Sequence, residues 1–288
     1  MVGLPAVAYQ GEPGAYSEEA ALGYFGAGAI APLPLPTFLA AARAVVDGRA
    51  AAALLPLENS VAGTVGEAVD ALLRTGLPVV GEVVLPVRHQ LLGLSGAVLA
   101  DVHSVASHRQ ALAQCESYLS RHGWQVVVAD DTAGAARQLA ESGDRSRAVV
   151  ASQRAGERYG LAVLAADIQD DDANMTRFAV VAGERGAAPA ACGPLAPPAT
   201  APRASLLVFE TLHRPGALHH ALGALAGAGV NLSRIESRPT GRARWQYRFL
   251  VSVDGDAAAE PLRGALVALD ERTHGLAVLG SFASAALD

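Results

Sequence analysis

A proline- and alanine-rich segment divides the sequence into two unequal parts. Residues 186–202 carry five prolines, much alanine and no charged side chain. Such a composition keeps a chain extended and gives it little to pack against, so we expect a semi-rigid linker here. We therefore predict two domains, at residues 1–185 and 203–288. The length of 288 residues fits two domains of ordinary size.

The basic residues exclude several classes of enzyme. All 22 residues counted as Lys+Arg are arginines, so the chain contains no lysine. It therefore has neither the Schiff-base lysine of pyridoxal-phosphate enzymes nor the lysine of a Walker-type nucleotide site. The formal net charge of -6 argues against a broad nucleic-acid surface, because such a surface must neutralise many phosphates. No nucleic-acid partner is expected.

Cysteine content and apolar stretches bear on the cellular compartment. Cys115 and Cys192 lie far apart, so neither a disulfide framework nor a zinc site is indicated. The first residues lack the basic start and long apolar stretch of a signal peptide. The uncharged stretch 20–42 reaches membrane length, but Pro32, Pro34 and Pro36 interrupt it. We expect a cytoplasmic protein with no membrane segment and no metal.

The first domain alternates short apolar runs with stretches of helical period. Strands are predicted near 6–9, 51–55, 124–129 and 148–151. Helices are predicted through Phe38/Ala42/Val45, Val65/Val69/Leu72 and Leu112/Cys115/Leu119. This α/β pattern favours mainly parallel sheets, whose ligand sites lie in the loops that follow the carboxyl ends of the strands.

The second domain has a different order of elements. Strands are predicted at 205–210, 230–239, 245–253 and 276–282, with helices at 216–228 and through Leu262, Leu266 and Leu269. The order is βαββαβ, which is the ferredoxin-like arrangement. Fold alone assigns no function to this domain.

Four polar clusters lie between the apolar runs of the first domain, at 11–19, 55–65, 107–115 and 174–178. Each fits an ordinary structural role. Ser17 and Ser107 fit helix N-caps, Glu58 to Ser60 fit a turn, and Thr176 fits the start of a strand. Taken singly, none is specific for a function.

Taken together and in this order, the clusters resemble the prephenate dehydratase family over nearly the whole chain. The resemblance rests on GEPGAYSEEAA (11–21), PLENSVAGTV (56–65), SHRQALAQC (107–115), DTAGAA (131–136), YGL (159–161) and NMTRF (174–178). RPGAL (214–218) and ESRP (236–239) resemble the ACT-type regulatory domain of that family. The sequence departs from the family pattern at Glu12 and Arg109, where proline is usual, and this puts the rigidity of two loops in doubt.

The resemblance implies a fold and an activity. The first domain should be two α/β lobes of the periplasmic-binding-protein type with a central cleft, followed by the βαββαβ ACT domain. The activity should be the decarboxylative dehydration of prephenate to phenylpyruvate, CO2 and water, in phenylalanine biosynthesis. Gain of aromaticity drives this reaction, so neither a cofactor nor a metal is expected. A monofunctional enzyme is expected, since no chorismate mutase segment precedes the first predicted strand.

The resemblance also implies site residues. The catalytic set is Thr176, Glu58, Asn59, Ser107 and Gln114. The substrate-binding set is Ser60, Asn174, Arg177, Ala15, Tyr16 and Ser17. Thr176 should hydrogen-bond or protonate the leaving hydroxyl, with Glu58 as the better acid if burial raises its pKa. Arg177 can bind a carboxylate, and the backbone amides at 14–17 and 107–110 can bind anions.

L-Phenylalanine is the effector that the resemblance implies. Its binding residues should be Gly216, Ala217, Leu218, Asn231, Leu232, Glu236 and Ser237, and the chain should form a homodimer or homotetramer through its ACT and catalytic domains. Two alternatives stay open. An arogenate dehydratase would share every motif, and a non-catalytic amino-acid sensor would share the two-lobed fold.

Overall fold

The computed structural model describes residues 3–183, 188–240 and 245–285. The predicted domain boundary at 185 and the first two residues of the 186–202 segment lie outside the described residues. Within the described residues, no helix is long and apolar enough to cross a membrane.

Two α/β lobes form the first domain. The elements of the first lobe are β1 (Ala6–Gln10), α1 (Tyr16–Phe25), β2 (Ala31–Leu35), α2 (Phe38–Val46), β3 (Ala52–Asn59), β4 (Gly63–Thr64), α3 (Gly66–Thr75) and β5 (Val79–Pro86). The elements of the second lobe are β6 (Gln90–Gly93), a 3-10 turn (Leu99–Asp101), β7 (Ser104–His108), α4 (Arg109–Ala113), α5 (Glu116–Leu119), β8 (Gln125–Ala129), α6 (Thr132–Ser142), β9 (Arg147–Ala151), α7 (Gln153–Tyr159) and β10 (Ala162–Ala165). The chain then returns to the first lobe as β11 (Met175–Ala182).

Each lobe contains one mixed sheet. Sheet A has the order β2-β1-β3-β11-β5, with β4 paired to β3, and sheet B has the order β10-β6-β9-β7-β8. The pairs within β2-β1-β3 and β9-β7-β8 are parallel, as expected. The expectation of mainly parallel sheets is otherwise wrong, because β11 lies between β3 and β5 antiparallel to both in sheet A. In sheet B, β6 pairs antiparallel with β9 and β10. A strand that returns from the other lobe is not bound to the direction that local crossovers impose.

The second domain confirms the predicted βαββαβ order. Its elements are β12 (Arg203–Glu210), α8 (Ala217–Gly227), β13 (Leu232–Pro239), β14 (Tyr247–Asp254), α9 (Leu262–Asp270) and β15 (His274–Ala283). Sheet C has the order β13-β14-β12-β15, and both helices pack on one face of it. Its other face shares a core with the first lobe, in which Leu206 and Leu250 join Leu55 and Leu72.

The proline-rich segment packs against the first lobe, so the expectation that it has little to contact is wrong. The amide of Leu195 donates to the carbonyl of Gly23 at 2.8 Å, and the amide of Gly193 donates to Tyr24 at 2.9 Å. A Cβ on Gly23 would lie only 2.5 Å from a methyl of Leu195. The missing side chain at Gly23 therefore lets the segment lie close against α1.

Candidate active site

A cleft of about 500 Å³ lies between the two lobes. The first lobe lines it with Tyr16, Asn59 and Thr176, and the second with His108, Gln114 and Asp131. The loops that follow β1 and β8 contribute to it, as the α/β pattern predicts for a ligand site.

The start of α1 presents two backbone amides near the cleft. Ala15, Tyr16 and Ser17 all line the cleft, and α1 begins at Tyr16 with Ala15 as its N-cap. Ser17 is therefore a first-turn residue rather than a cap. The amide of Gly14 donates to Glu18 Oε2 at 2.7 Å, and that of Ala15 to the carbonyl of Glu12. Only the amides of Tyr16 and Ser17 remain for an anion, because first-turn N–H groups have no intrahelical partner.

A β-bulge in β3 decides which polar side chains reach the cleft. Thr176 pairs with Asn59 and Arg177 pairs with Glu58, but Phe178 pairs with Pro56, so Leu57 is an extra residue. Strict alternation from Pro56, which lines the cleft, would place Glu58 on the cleft face too. The bulge reverses this alternation and gives the cleft face to Asn59.

Glu58 and Arg177 consequently lie on the reverse of sheet A, and the expectation that they line the cleft is wrong. The guanidinium of Arg177 donates to the buried carboxylate of Glu82 at 2.9 Å. Glu58 lies 3.9 Å from Arg177 and 3.6 Å from Arg234 of the ACT domain. Neither Glu58 nor Arg177 lines the cleft. Glu58 is thus not placed as an acid for the substrate, nor Arg177 as its carboxylate ligand.

Asn59 is the centre of the polar network at the cleft floor. Its side-chain oxygen accepts from the amides of Val61 and Ala62, which fixes the orientation of the amide group. Its Nδ2 donates to Asn174 Oδ1 at 2.8 Å and to Thr176 Oγ1 at 3.0 Å. Because Thr176 Oγ1 accepts this bond, its own hydrogen is available to a group in the cleft.

Three further predicted residues support the site without lining it. Asn174 is buried and holds Asn59. The Ser60 hydroxyl donates to the carbonyl of Ala173 at 3.0 Å and accepts from the amide of Met175, so it ties the turn after β3 to the start of β11. Neither of these predicted substrate ligands lines the cleft.

Ser107 is the third of these residues, and the expectation that its side chain lines the cleft is wrong. Its hydroxyl is fully buried and donates to the carbonyl of Val150 in β9. The next residue, His108, points into the cleft instead, because side chains alternate along β7. His108 is also the N-cap of α4, since its Nδ1 accepts from the amide of Gln110. The N-cap interpretation of Ser107 is therefore wrong as well.

Gln114 reaches the cleft because the predicted helix through Leu112, Cys115 and Leu119 is broken. The structure has two short helices, α4 and α5, with Gln114 and Cys115 between them. Gln114 Nε2 lies 3.4 Å from Asn59 Oδ1, so the residue connects the second lobe to the polar network at the cleft floor.

His89 is a cleft residue that the sequence analysis missed. It lies between β5 and β6, where the chain crosses from one lobe to the other, and its side chain is buried. Its Nδ1 lies 2.9 Å from Tyr16 Oη and its Nε2 lies 2.9 Å from Gln114 Oε1. Burial lowers the pKa of His89, while the hydrogen bond with Gln114 opposes that shift. A single histidine between two apolar strands carries no sequence signal that distinguishes it from a core residue.

The cleft has an unusual charge for a site that would bind a dianion. Among the described residues that line it, none is an arginine, whereas Glu67, Asp130 and Asp131 are acidic. Asp131 is occupied as the N-cap of α6. Across the part of the chain that the structure describes, no cluster of three or more His, Cys, Asp or Glu side chains could hold a metal ion. Anion binding at this site therefore falls to backbone amides, hydroxyls and imidazoles.

The predicted effector residues separate into three places. Ala217 and Leu218 line a second cavity of about 150 Å³ in the ACT domain, next to Gly216, which has a left-handed φ of 80°. Asn231 and Leu232 lie at the far end of β13, where Asn231 donates to Asp254.

Glu236 and Ser237 occupy the third place, farther along β13. Glu236 accepts from the hydroxyl of Thr64 in the first domain at 2.7 Å, and Ser237 is exposed. Within one chain, Asn231, Leu232 and Glu236 therefore do not line the cavity beside Gly216.

Comparison with known proteins identifies the family. Residues 7–185 match the sequence model named prephenate dehydratase, and residues 205–271 match that of the ACT domain. The chain belongs to the prephenate dehydratase family.

Similar proteins cover nearly all of the chain. An arogenate dehydratase/prephenate dehydratase of Arabidopsis thaliana is 41% identical over 96% of this chain and 72% of its own length. A bifunctional N-acyl-homoserine lactone acylase/prephenate dehydratase of Komagataeibacter europaeus is 38% identical over 98% of this chain and 97% of its own. The solved structure of a prephenate dehydratase from Arthrobacter aurescens in complex with L-Phe has a TM-score of 0.85 and 31% identity, and the match covers 97% of this chain and 90% of that one. The two-lobed fold with a C-terminal ACT domain is thus shared with this family.

Proposed function

We propose that this protein converts prephenate to phenylpyruvate, CO2 and water. The observation that carries the proposal is the pair formed by Asn59 and Thr176 on the floor of the cleft. By accepting an N–H from Asn59, the Thr176 hydroxyl becomes a stronger donor toward the leaving hydroxyl of the substrate. The departing carboxylate leaves as CO2, its bonding electrons complete the aromatic ring, and the expelled hydroxide takes up a proton to leave as water.

Positioning of the substrate accounts for the rest of the site. Loss of both groups in one step requires the ring to be held between the two lobes with its hydroxyl directed toward Thr176. The amides of Tyr16 and Ser17, at the positive end of α1, suit one carboxylate. Gln114 fixes Asn59 from the opposite lobe, which keeps the donor to Thr176 in place. A non-catalytic sensor would have no need for this donor arrangement.

Arogenate is the second candidate substrate, and the acidic lining of the cleft favours testing it. Arogenate carries an amino group where prephenate carries a keto group, and Glu67 and Asp130 provide carboxylates that attract an ammonium. Relatives with about 40% identity are named arogenate dehydratases. Substitution of Glu67 by Gln tests this directly, because it should lower kcat/KM for arogenate more than for prephenate if the carboxylate contacts the ammonium.

Direct turnover measurements separate these functions. Purified protein is incubated without added cofactor with prephenate or with arogenate, and phenylpyruvate or phenylalanine is quantified by absorbance and mass. Formation of phenylpyruvate from prephenate supports the proposal. Formation of phenylalanine alone assigns the protein as an arogenate dehydratase, and no product from either substrate favours the sensor.

L-Phenylalanine is proposed as an inhibitor that binds to the ACT domain beside Gly216, Ala217 and Leu218. The residues at 231–232 and 236–237 would reach that ligand from a second subunit, in a homodimer or homotetramer. The relative from Arthrobacter aurescens was solved in complex with L-Phe. Calorimetry with the intact protein should give a micromolar to millimolar Kd, and Ser237→Ala should weaken inhibition without lowering kcat. Absence of both binding and inhibition at saturating phenylalanine would contradict this part of the proposal.

A further inference from the structure

We propose that His89 is doubly protonated when substrate occupies the cleft, and that this imidazolium is the positioning residue which supplies the cleft with positive charge. The inference rests on the proposed function and concerns how the site holds a dianion. It follows from the hydrogens that Tyr16 and Gln114, the hydrogen-bond partners of the His89 ring, have available to donate.

Tyr16 requires His89 Nδ1 to be a donor. The phenol oxygen of Tyr16 lies 2.8 Å from the carbonyl oxygen of Arg88 and 2.9 Å from His89 Nδ1. Two oxygens at 2.8 Å need a hydrogen between them, and a carbonyl carries none, so the single phenol hydrogen of Tyr16 is directed to Arg88. Burial, with a contribution from the charge of Glu19, raises the pKa of Tyr16 well above its usual value, so the phenol keeps this hydrogen. Tyr16 can then only accept from His89 Nδ1.

Gln114 requires His89 Nε2 to be a donor as well. The oxygen of Asn59 is fixed by the amides of Val61 and Ala62, so Asn59 presents an acceptor to Gln114. Gln114 must therefore donate to Asn59 with its Nε2, which places its Oε1 2.9 Å from His89 Nε2. Both ring nitrogens therefore face acceptors, and a ring with two N–H groups is an imidazolium.

Electrostatics oppose that charge in the empty cleft. Burial lowers the pKa of His89. At the ring, Tyr16 from α1 is uncharged and Gln114 is an amide, while Gln169 accepts from the backbone amide of His89 and the neighbouring Arg88 is paired with Asp172. Among the described residues, no carboxylate makes an ion pair with His89. The cation thus lacks an anionic partner until a ligand supplies one.

The two acceptors favour the charged form of His89 and burial opposes it, and a bound dicarboxylate substrate would shift this balance toward the charged form. A carboxylate bound beside His89 would favour the charged ring, which in turn satisfies both Tyr16 and Gln114. Because Gln114 holds Asn59, protonation of His89 would also stiffen the network that orients Thr176. Binding should therefore be accompanied by uptake of a proton.

Calorimetry can detect that proton. Tetrahydroprephenate, whose reduced ring cannot become aromatic, is titrated into the full-length protein at about pH 7.5, where an imidazole of lowered pKa is neutral. The titration is repeated in phosphate and in Tris, which differ in ionisation enthalpy. The wild-type protein should take up about one proton per site.

Two variants make the test specific. His89→Gln keeps a donor for Gln114 but cannot become charged, so proton uptake should disappear and KM for prephenate should rise about 10–100-fold. The kcat/KM of the wild type should fall with rising pH above the free-enzyme pKa of His89, and that of H89Q should not. His108→Asn is the matched control, because it removes the other described imidazole of the cleft and keeps an N-cap; it should retain the proton uptake.

The outcomes separate this inference from the proposed function. Tight binding of tetrahydroprephenate without buffer-dependent enthalpy would overturn the assignment of His89 and leave the proposed function intact. Uptake that persists in H89Q would assign the proton to another group and would also overturn it. Absence of turnover of prephenate, together with absence of binding, would refute the proposed function and with it the inference.

Discussion

Arg234 of the ACT domain lies 3.6 Å from the carboxylate of Glu58, directly behind the strand position that places Asn59 in the cleft. Its guanidinium also donates to the carbonyl of Leu57, the extra residue of the β-bulge, at 3.3 Å. Burial lowers the pKa of Arg234, and the charge of Glu58 opposes that shift. Arg234 thus connects β13 of the ACT domain directly to the bulged segment of β3 that precedes Asn59.

Substitution of Arg234 should uncouple the two domains. We predict that Arg234→Met raises the phenylalanine concentration needed for half-inhibition about fivefold or more, since coupling between sites typically has this size. Without phenylalanine, kcat should change by less than about twofold. The measurement is an inhibition curve on the intact protein.

Arg203→Met is the matched control for this prediction. Arg203 pairs with Asp256 within the ACT domain and donates to the carbonyl of Ser281, so the same substitution there leaves the contact with the first domain intact. Equal sensitivity to phenylalanine in both variants would argue that Arg234 does not transmit the signal.

Arg177→Ala should affect stability rather than substrate binding. Arg177 faces Glu82 on the reverse of sheet A, and its loss leaves the buried Glu82 carboxylate with a weaker set of partners. We expect a loss of about 1–3 kcal/mol in the free energy of unfolding, with KM for prephenate within about twofold of wild type. Thermal unfolding and steady-state kinetics measure the two quantities.

The double variant R177A/E82Q distinguishes this account from a general loss of packing. Replacing the carboxylate removes the unpaired charge, so part of the lost stability should return. A strongly raised KM in Arg177→Ala, with unchanged stability, would instead restore Arg177 as a substrate ligand.

The two cysteines should differ sharply in reactivity. Cys115 is fully buried, and burial raises the pKa of its thiol to about 12, with the charge of Asp170 adding to the shift. Cys192 is exposed on the proline-rich segment. Because the thiolate is the nucleophile, iodoacetamide near pH 8 should modify Cys192 alone in the native protein and both residues after denaturation. Peptide mass spectrometry locates the labels, and rapid modification of native Cys115 would contradict the packing of α4 and α5.

The order of elements could be predicted from the sequence because apolar periodicity reports it locally. The βαββαβ pattern of the second domain follows from such runs, as do β1, β3, β8, β9, α2 and α3 of the first domain. The direction of β11 did not follow, because it depends on a return from the other lobe. The break between α4 and α5 did not follow either, since Leu112, Cys115 and Leu119 retain a helical spacing across it.

Only part of the site could be predicted from the sequence, because the rest depends on strand register and on contacts between distant parts of the chain. Asn59, Gln114 and Thr176 line the cleft, but the face of the sheet on which a side chain lies depends on the strand register. One extra residue, Leu57, moves Glu58 to the reverse face of the sheet, and no local feature of the sequence indicates this bulge. His89 becomes recognisable only when folding brings it to Tyr16 and Gln114, which are distant along the chain.

The central claim is that the Thr176 hydroxyl, oriented by Asn59, acts on the leaving hydroxyl of prephenate. The most direct test is the rate of phenylpyruvate formation at saturating prephenate for wild type, Thr176→Ala and Thr176→Ser. We predict that Thr176→Ala lowers kcat on the order of 10²–10⁴-fold with little change in KM, and that Thr176→Ser retains most of the rate, because the interaction is made mainly in the transition state. A folded Thr176→Ala protein that forms phenylpyruvate at nearly the wild-type rate would contradict the claim.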